Sequence, residues 1–305
     1  MGDKMPVLKH KYNFKYLGGE KMIAQNVVLA TDFSHISKEL ISVLPELKEK
    51  GARKVFLTHV MDVRQTKTGV MQMKEHFQKQ LTEMKDRVEE IGLQAETFLI
   101  RGYPAPEIVK KAQKEKAFIL IASQGGGIIK NMFLGSTTYD VIRQARTPVF
   151  VEKFTENQEG NIQRRYEKEF DNVLLPVDFS SCSEQVIQKS KQFCAHTDMI
   201  CLVHVIESAA SEEELNEKEN LVKKRLEKIR GELQAEQVGK KISIIIDRGS
   251  PSDKILHYAE KCKVNMIALA ASGAGMLDNL LLGSTADRVV KESPISVLLF
   301  PCKEE

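Results

Sequence analysis

No apolar run in the sequence approaches the roughly 18 to 20 residues that a membrane-spanning helix needs, and the N-terminus lacks the apolar core of a signal peptide. The expectation is a cytoplasmic protein. Excess charge of one sign is also missing: 45 basic residues face 42 acidic ones, a net charge of only +3, and the basic residues are scattered. That excludes the clustered basic footprint of a nucleic-acid binder. Cysteine is sparse and unpatterned. Cys182, Cys194, Cys201, Cys262 and Cys302 all lie in the second half, are odd in number and contain no C-x-x-C. They read as reduced thiols that mostly fill the core, with Cys302 the exposed one, and neither zinc binding nor redox chemistry is expected of them. No G-x-x-x-x-G-K-[ST] occurs, which argues against a P-loop ATPase.

What is present is a stretch that occurs twice. Phe118 to Val151 and Met266 to Phe300 each run from an apolar segment into a small-residue loop, then a Gly-Ser-Thr that opens an amphipathic segment, then a proline and a second apolar run. The pattern is strand, glycine-rich turn, helix, strand. Nine residues separate Gly125 from Gly135, and nine separate Gly273 from Gly283, although the filler differs. A spacing kept while its contents change points to geometry. Glycines let a ligand approach the backbone, and unpartnered N–H groups at a helix start attract phosphate, so each loop reads as an anion site.

The rest of the chain repeats in the same order. Asp32, His59, Gly102 and Gly135 recur at Asp178, His204, Gly249 and Gly283, offset by 146, 145, 147 and 148 positions. The chain therefore divides into an N-terminal extension (1–25), a first domain (26–152), a polar linker (153–171) and a second domain (172–302). In the extension Tyr12, Phe14 and Tyr16 alternate, as an extended strap or a mobile leader would have them. In the first domain the residues predict strands at Asn26–Ala30, Lys54–Val60 and Gln94–Ile100. A helix is expected from Ser34 to about Lys50, a loop over Thr66–Met73 and then a helix through Glu90. In the second domain a long charged helix is expected over Ser211–Gln237, with Ser211 and Glu214 as a capping box and a solvated charged face. The linker reads as a joining segment, helical in part.

Five β-α units with near-continuous apolar strands predict an α/β protein of two tandem, doubly wound, parallel five-stranded sheets. Ligands bind such sheets beyond the carboxyl ends of the strands, where strand order reverses. Both the acidic turn after the first strand and the glycine loop after the fourth fall at that edge. Asp32 is thus expected near Gly125 and Gly135, and Asp178 near Gly273 and Gly283. Asp32 and Asp178 serve either as helix caps or as ligand contacts. His59 and His204 read as structural histidines.

These motifs resemble the universal stress protein family in its tandem form, with its Rossmann-like, adenine nucleotide alpha hydrolase-like fold. The resemblance rests on the Asp-Phe-Ser turns, the His-Val pairs and the loop ending Gly135-Ser136 and Gly283-Ser284. The first glycine of the family's loop is replaced by Ala122 and Ala270, and a positive φ there would make each methyl costly. The resemblance implies a stress-response protein that binds ATP or another adenine nucleotide, with magnesium as an optional counter-ion, as a ligand for conformation or partner choice. Carried over, Ala30, Thr31, Asp32 and Val60, with Pro176, Val177, Asp178 and Val205, would hold the adenosine. Ala122, Gly125, Gly135, Ser136 and Thr137, with Ala270, Gly273, Gly283, Ser284 and Thr285, would take the phosphates. Also implied is an intramolecular pseudo-dimer through the last strands, Pro148–Val151 and Ile295–Phe300, with a homodimer and an unidentified protein partner as further options. A nucleotide-free interaction scaffold and a slow ATP hydrolase are the alternatives; the latter needs a general base that the sequence does not display.

Overall fold

Short runs of valine, isoleucine and leucine build one continuous sheet from both halves of the chain. The structure, a computed structural model, describes residues 25–64, 70–124, 134–157, 159–273 and 282–302. The first half contributes β1 (Asn26–Ala30), β2 (Lys54–Asp62), β3 (Gln94–Gly102), β4 (Phe118–Gln124) and β5 (Val149–Glu156), and the hairpin strand β6 (Ile162–Arg164) follows. The second contributes β7 (Asn172–Pro176), β8 (Met199–Ile206), β9 (Lys241–Arg248), β10 (Met266–Ala270) and β11 (Ser296–Phe300). Their spatial order is β3-β2-β1-β4-β5-β11-β10-β7-β8-β9, with β6 on β5. All pairs within each five-strand set are parallel. The two sets meet antiparallel, with Val149, Phe150 and Val151 opposite Leu299, Leu298 and Val297.

That junction bears out the expected pseudo-dyad. Ile119 pairs with Val149 as Ile267 pairs with Val297, which makes Leu298 the counterpart of Phe150. Phe150 and Leu298 face each other, so the dyad passes between them. One hydrophobic layer covers each face of the sheet, and each layer runs through both halves. Val27, Leu29, Phe150, Val173 and Leu298 belong to one layer, and Val28, Ala30, Val151, Leu174 and Leu299 to the other. Alternate residues of one strand thus enter opposite layers, which is why these strands read as unbroken apolar runs.

The helices that cover the sheet are α1 (His35–Glu39), α2 (Leu44–Glu49), α3 (Val70–Glu90), α4 (Pro104–Lys114) and α5 (Ser136–Gln144) in the first half. The second half carries α6 (Ser181–Phe193), α7 (Glu212–Ala235), α8 (Pro251–Lys261) and α9 (Ser284–Glu292). The single helix expected up to Lys50 is instead interrupted by a 3-10 turn at Leu40–Val43. Pro45, in the first turn of α2, explains the break: it has no N–H to donate to the preceding turn, and its ring clashes with the carbonyl four residues earlier. Val70–Met73, expected in a loop, already belong to α3. The Ser211 cap is present, its Oγ accepting from the Glu214 N–H, while Glu214 accepts from the Ala210 N–H.

The joining stretch forms a hairpin with no helix among its described residues. β5 continues to Glu156, turns, and returns as β6, burying charge as it goes. Arg164 donates to Glu152 and Glu46 at 3.3 and 3.1 Å and lies 3.6 Å from Glu169. Glu46 also accepts the backbone N–H groups of Glu169 and Phe170, so α2 is fastened to the start of the second half. Three carboxylates share one guanidinium here. Burial, opposed by Arg164, raises the Glu152 pKa to about 7, and burial together with the Glu152 charge raises that of Glu169. Beside them Lys153, its pKa lowered by burial to about 8, donates to the carbonyl of Val290 in α9 and so ties the halves together. Tyr12, Phe14 and Tyr16 lie outside the described residues.

Candidate functional site

Strand order reverses between β1 and β4 and again between β7 and β10, so the turn leaving β1 or β7 stands beside the loop leaving its neighbour. The turns are built alike. After β1 the chain passes through Thr31 and Asp32 to Phe33, whose φ is 62°, and Phe179 repeats this with a φ of 61°. Left-handed backbone at a bulky residue is unfavourable by about 1 to 2 kcal/mol, and ring packing holds it in place. Phe33 lies 4.4 Å from the His59 ring and Phe179 lies 4.8 Å from that of His204.

Each histidine is fixed in turn by the main chain. Nδ1 of His59 donates to the Thr31 carbonyl at 2.8 Å, and Nδ1 of His204 to that of Val177 at 2.6 Å. A carbonyl only accepts, so the proton sits on Nδ1 in both. Burial lowers the pKa of both rings, outweighing the hydrogen bonds and the neighbouring aspartates. The histidines therefore brace the turns.

The capping question is decided by the hydroxyls. Ser34 caps α1 by accepting from the Ser37 N–H, and Ser180 caps α6 by accepting from that of Ser183. Asp32 and Asp178 instead accept the N–H of Ser34 and Ser180, each at 2.9 Å, and both stand exposed at the sheet edge. Burial opposes ionisation of Asp32, yet hydrogen bonds from Ser34 and Ser37 hold its carboxyl below the ordinary value.

In the second half the predicted partners come together. A Cβ added to Gly273 would meet Oδ2 of Asp178 at 2.7 Å, so the carboxylate rests on that glycine's main chain. The Ala271 carbonyl accepts the Gly283 N–H at 2.8 Å, bringing the start of α9 to the same place. Gly283 and Gly135 occupy the N-cap positions of α9 and α5, and neither helix has a side-chain cap. Ser284 and Thr285, like Ser136 and Thr137, lie in first turns whose N–H groups point toward the edge. In the first half Thr138 donates to the Ala122 carbonyl at 3.1 Å, holding α5 against β4. Gly125 lies outside the described residues. Ala122 and Ala270 are strand residues with φ outside the left-handed region, so the feared strain is absent. Ala30 and Pro176 end β1 and β7, and Val60 and Val205 lie in β2 and β8 beside the bracing histidines.

One site feature went unread in the sequence. Arg225, assigned to a solvated face of α7, stacks its guanidinium 3.8 Å from the centre of the Phe179 ring. Its counterpart in α3 is Phe77, stacked on Phe33 at 5.4 Å. No offset pairs the two residues: they stand 148 positions apart, whereas the repeat runs at 145 at His59 and 147 at Gly102 on either side of the helix.

The profile of the Universal stress protein family matches residues 24–153 and 169–301. The chain belongs to this family. Among curated relatives, Universal stress protein MJ0577 of Methanocaldococcus jannaschii is 29% identical over 153 residues, covering 42% of this chain and 94% of its own. MJ0531 of the same organism is 31% identical over 160 residues, covering 48% and 91%. A solved universal stress protein from Archaeoglobus fulgidus is similar across both halves, with a TM-score of 0.68, 23% identity, and coverage of 90% of this chain and 98% of that one. This universal stress protein is thus a tandem member whose two matched segments are the two halves of the sheet.

Proposed function

We propose that each half of this universal stress protein binds one adenine nucleotide, ATP or AMP, at its switch-point edge, and that the nucleotide acts as a ligand for conformation or partner choice. Family membership gives the stress-response role; the ligand is our reading of the site. The observation that carries it is the seating of Asp178 on the main chain of Gly273, beside the open start of α9. An acceptor for ribose or an adenine amino group there adjoins the uncapped N–H groups of a helix, the pairing that an adenosine with a phosphate tail requires. In the first half Asp32 and the start of α5 would take the same parts. Val60 and Val205 would meet the adenine edge, and Ser136 and Ser284 the phosphates.

Among the described residues no cluster of three or more His, Cys, Asp or Glu side chains is arranged to hold a metal. A magnesium ion would then come with the phosphates and keep most of its own water. Arg225 gives the second site a cation where Phe77 stacks in the first, which favours phosphate there. Equilibrium dialysis with labelled ATP and AMP tests the proposal. Saturable binding that weakens at least tenfold in Asp178→Ala is expected, and no saturation at millimolar ligand would refute it.

A further inference from the structure

Cys182 and Cys302, read from the sequence as reduced thiols, are joined by a disulfide across 120 positions of chain. Spacing hid the pair, because only folding brings the second position of α6 to the residue two beyond the end of β11. Its location gives it a task. The Phe300 carbonyl accepts the Ala271 N–H at 2.8 Å, and Sγ of Cys182 lies 3.9 Å from Oγ of Ser272, which is itself buried. The next residue is Gly273, on which Asp178 rests. The bond therefore clamps α6 to the chain end directly against the segment that seats Asp178.

The first half has no such bond. By the offsets of the two turns and of the two central strands, the counterparts of Cys182 and Cys302 are Ile36 and Phe154, and both pack in the same hydrophobic layer. Where the first half has apolar packing, the second has a breakable covalent bond. Of the three remaining cysteines, burial pushes the pKa of Cys194 and of Cys201 up to about 12, which keeps both unreactive, and Cys262 lies half-buried with its Sγ 3.8 Å from that of Cys201. Cys182 instead occupies the first turn of a helix, where the N-terminal N–H groups stabilise a thiolate.

We propose that Cys182 and Cys302 are a reversible thiol–disulfide switch that sets the order of the Ala271–Gly273 segment and, through it, the ligand affinity of the second site alone. The oxidant is a hydroperoxide. The Cys182 thiolate attacks one peroxide oxygen, breaking the O–O bond and leaving a sulfenic acid and, after protonation, water. The Cys302 sulfur then displaces the sulfenic oxygen as a second water, so two thiols and one hydrogen peroxide give one disulfide and two waters. Reduction is by a small thiol. It attacks Cys302, the more exposed sulfur, and expels the Cys182 thiolate; a second thiol then releases Cys302 and leaves the reductant as its own disulfide.

The affinity part rests on the nucleotide proposal; the ordering part does not, so the two are read separately. The full chain is prepared with dithiothreitol or with stoichiometric hydrogen peroxide, alongside Cys302→Ser, and disulfide content is read as the loss of two hydrogens in intact mass. Hydrogen exchange at residues 271–273 is expected to be at least tenfold faster in reduced protein and in Cys302→Ser, while residues 122–124 do not change. ATP affinity of the second site, isolated in Asp32→Ala, should fall about tenfold on reduction, as loss of a preformed site demands. Absence of ATP binding in either state with the exchange difference intact would remove only the nucleotide reading. Equal exchange in the two states, or failure of peroxide to join the thiols, would overturn the switch.

Discussion

The two halves share a turn but end differently. Asp-Phe-Ser, left-handed Phe33 and Phe179, and histidine Nδ1 on a strand-end carbonyl are repeated with distances that agree within a few tenths of an ångström. Beyond the dyad the central strands part company. β5 runs on through buried Glu152 and Lys153 into a hairpin that fastens the second half, whereas β11 stops at Phe300 and is held by a disulfide. The part of the duplication that is repeated is the turn at the switch-point edge, and the part that differs is how each strand end is anchored.

The largest test of this contrast is Arg164→Ala. It strands Glu46, Glu152 and Glu169 without their cation, and urea unfolding should show a loss of about 3 to 5 kcal/mol. Loss under 1 kcal/mol would mean that the crossing is not anchored by charge. Cys302→Ser removes the other anchor. Closure of so long a loop is worth about 2 to 4 kcal/mol, so the loss on thermal unfolding should be of that order and should vanish when both proteins are compared under reductant.

A third test is pH. The folded pKa of Glu152, about 7, lies above its ordinary value of 4.5, so between the two the folded state keeps a proton that the unfolded state has lost. Stability from this group is fully present below the unfolded value and is lost as pH rises to about 7, by at most roughly 3 kcal/mol, an amount coupled to the protonation of Glu169. Glu152→Gln should flatten that decline in unfolding measured from pH 5 to 8; an unchanged slope would assign it elsewhere. The smallest effect is expected for Arg225→Phe, which gives the second site the stack found in the first. ATP should bind there a few-fold more weakly, with little change for adenosine, since only the phosphates meet the cation. Equal losses for both ligands would make Arg225 a packing residue.

Most of the fold was legible because duplication doubles every signal: the strands and the edge that gathers Asp178, Gly273 and Gly283 follow from periodicity and offset, and the dyad junction from the family resemblance. Local punctuation was misjudged where one residue overrode a pattern, as Pro45 did in the helix beginning at His35. The polar linker read as a joining segment because Glu152 and Glu169 gather around Arg164 only after the hairpin closes, together with Glu46, more than 100 positions away. The disulfide escaped for the same reason. Ala122 and Ala270 were suspected of strain because a family glycine is missing, yet an extended backbone accepts alanine without penalty.

The central claim is that this universal stress protein carries one adenine-nucleotide site per half. Native mass spectrometry of the intact chain with ATP counts them directly. Two nucleotides per chain are expected, one in either Asp32→Ala or Asp178→Ala, and none in the double variant; a count that both substitutions together leave unchanged, or a wild-type chain that takes up none, would contradict it.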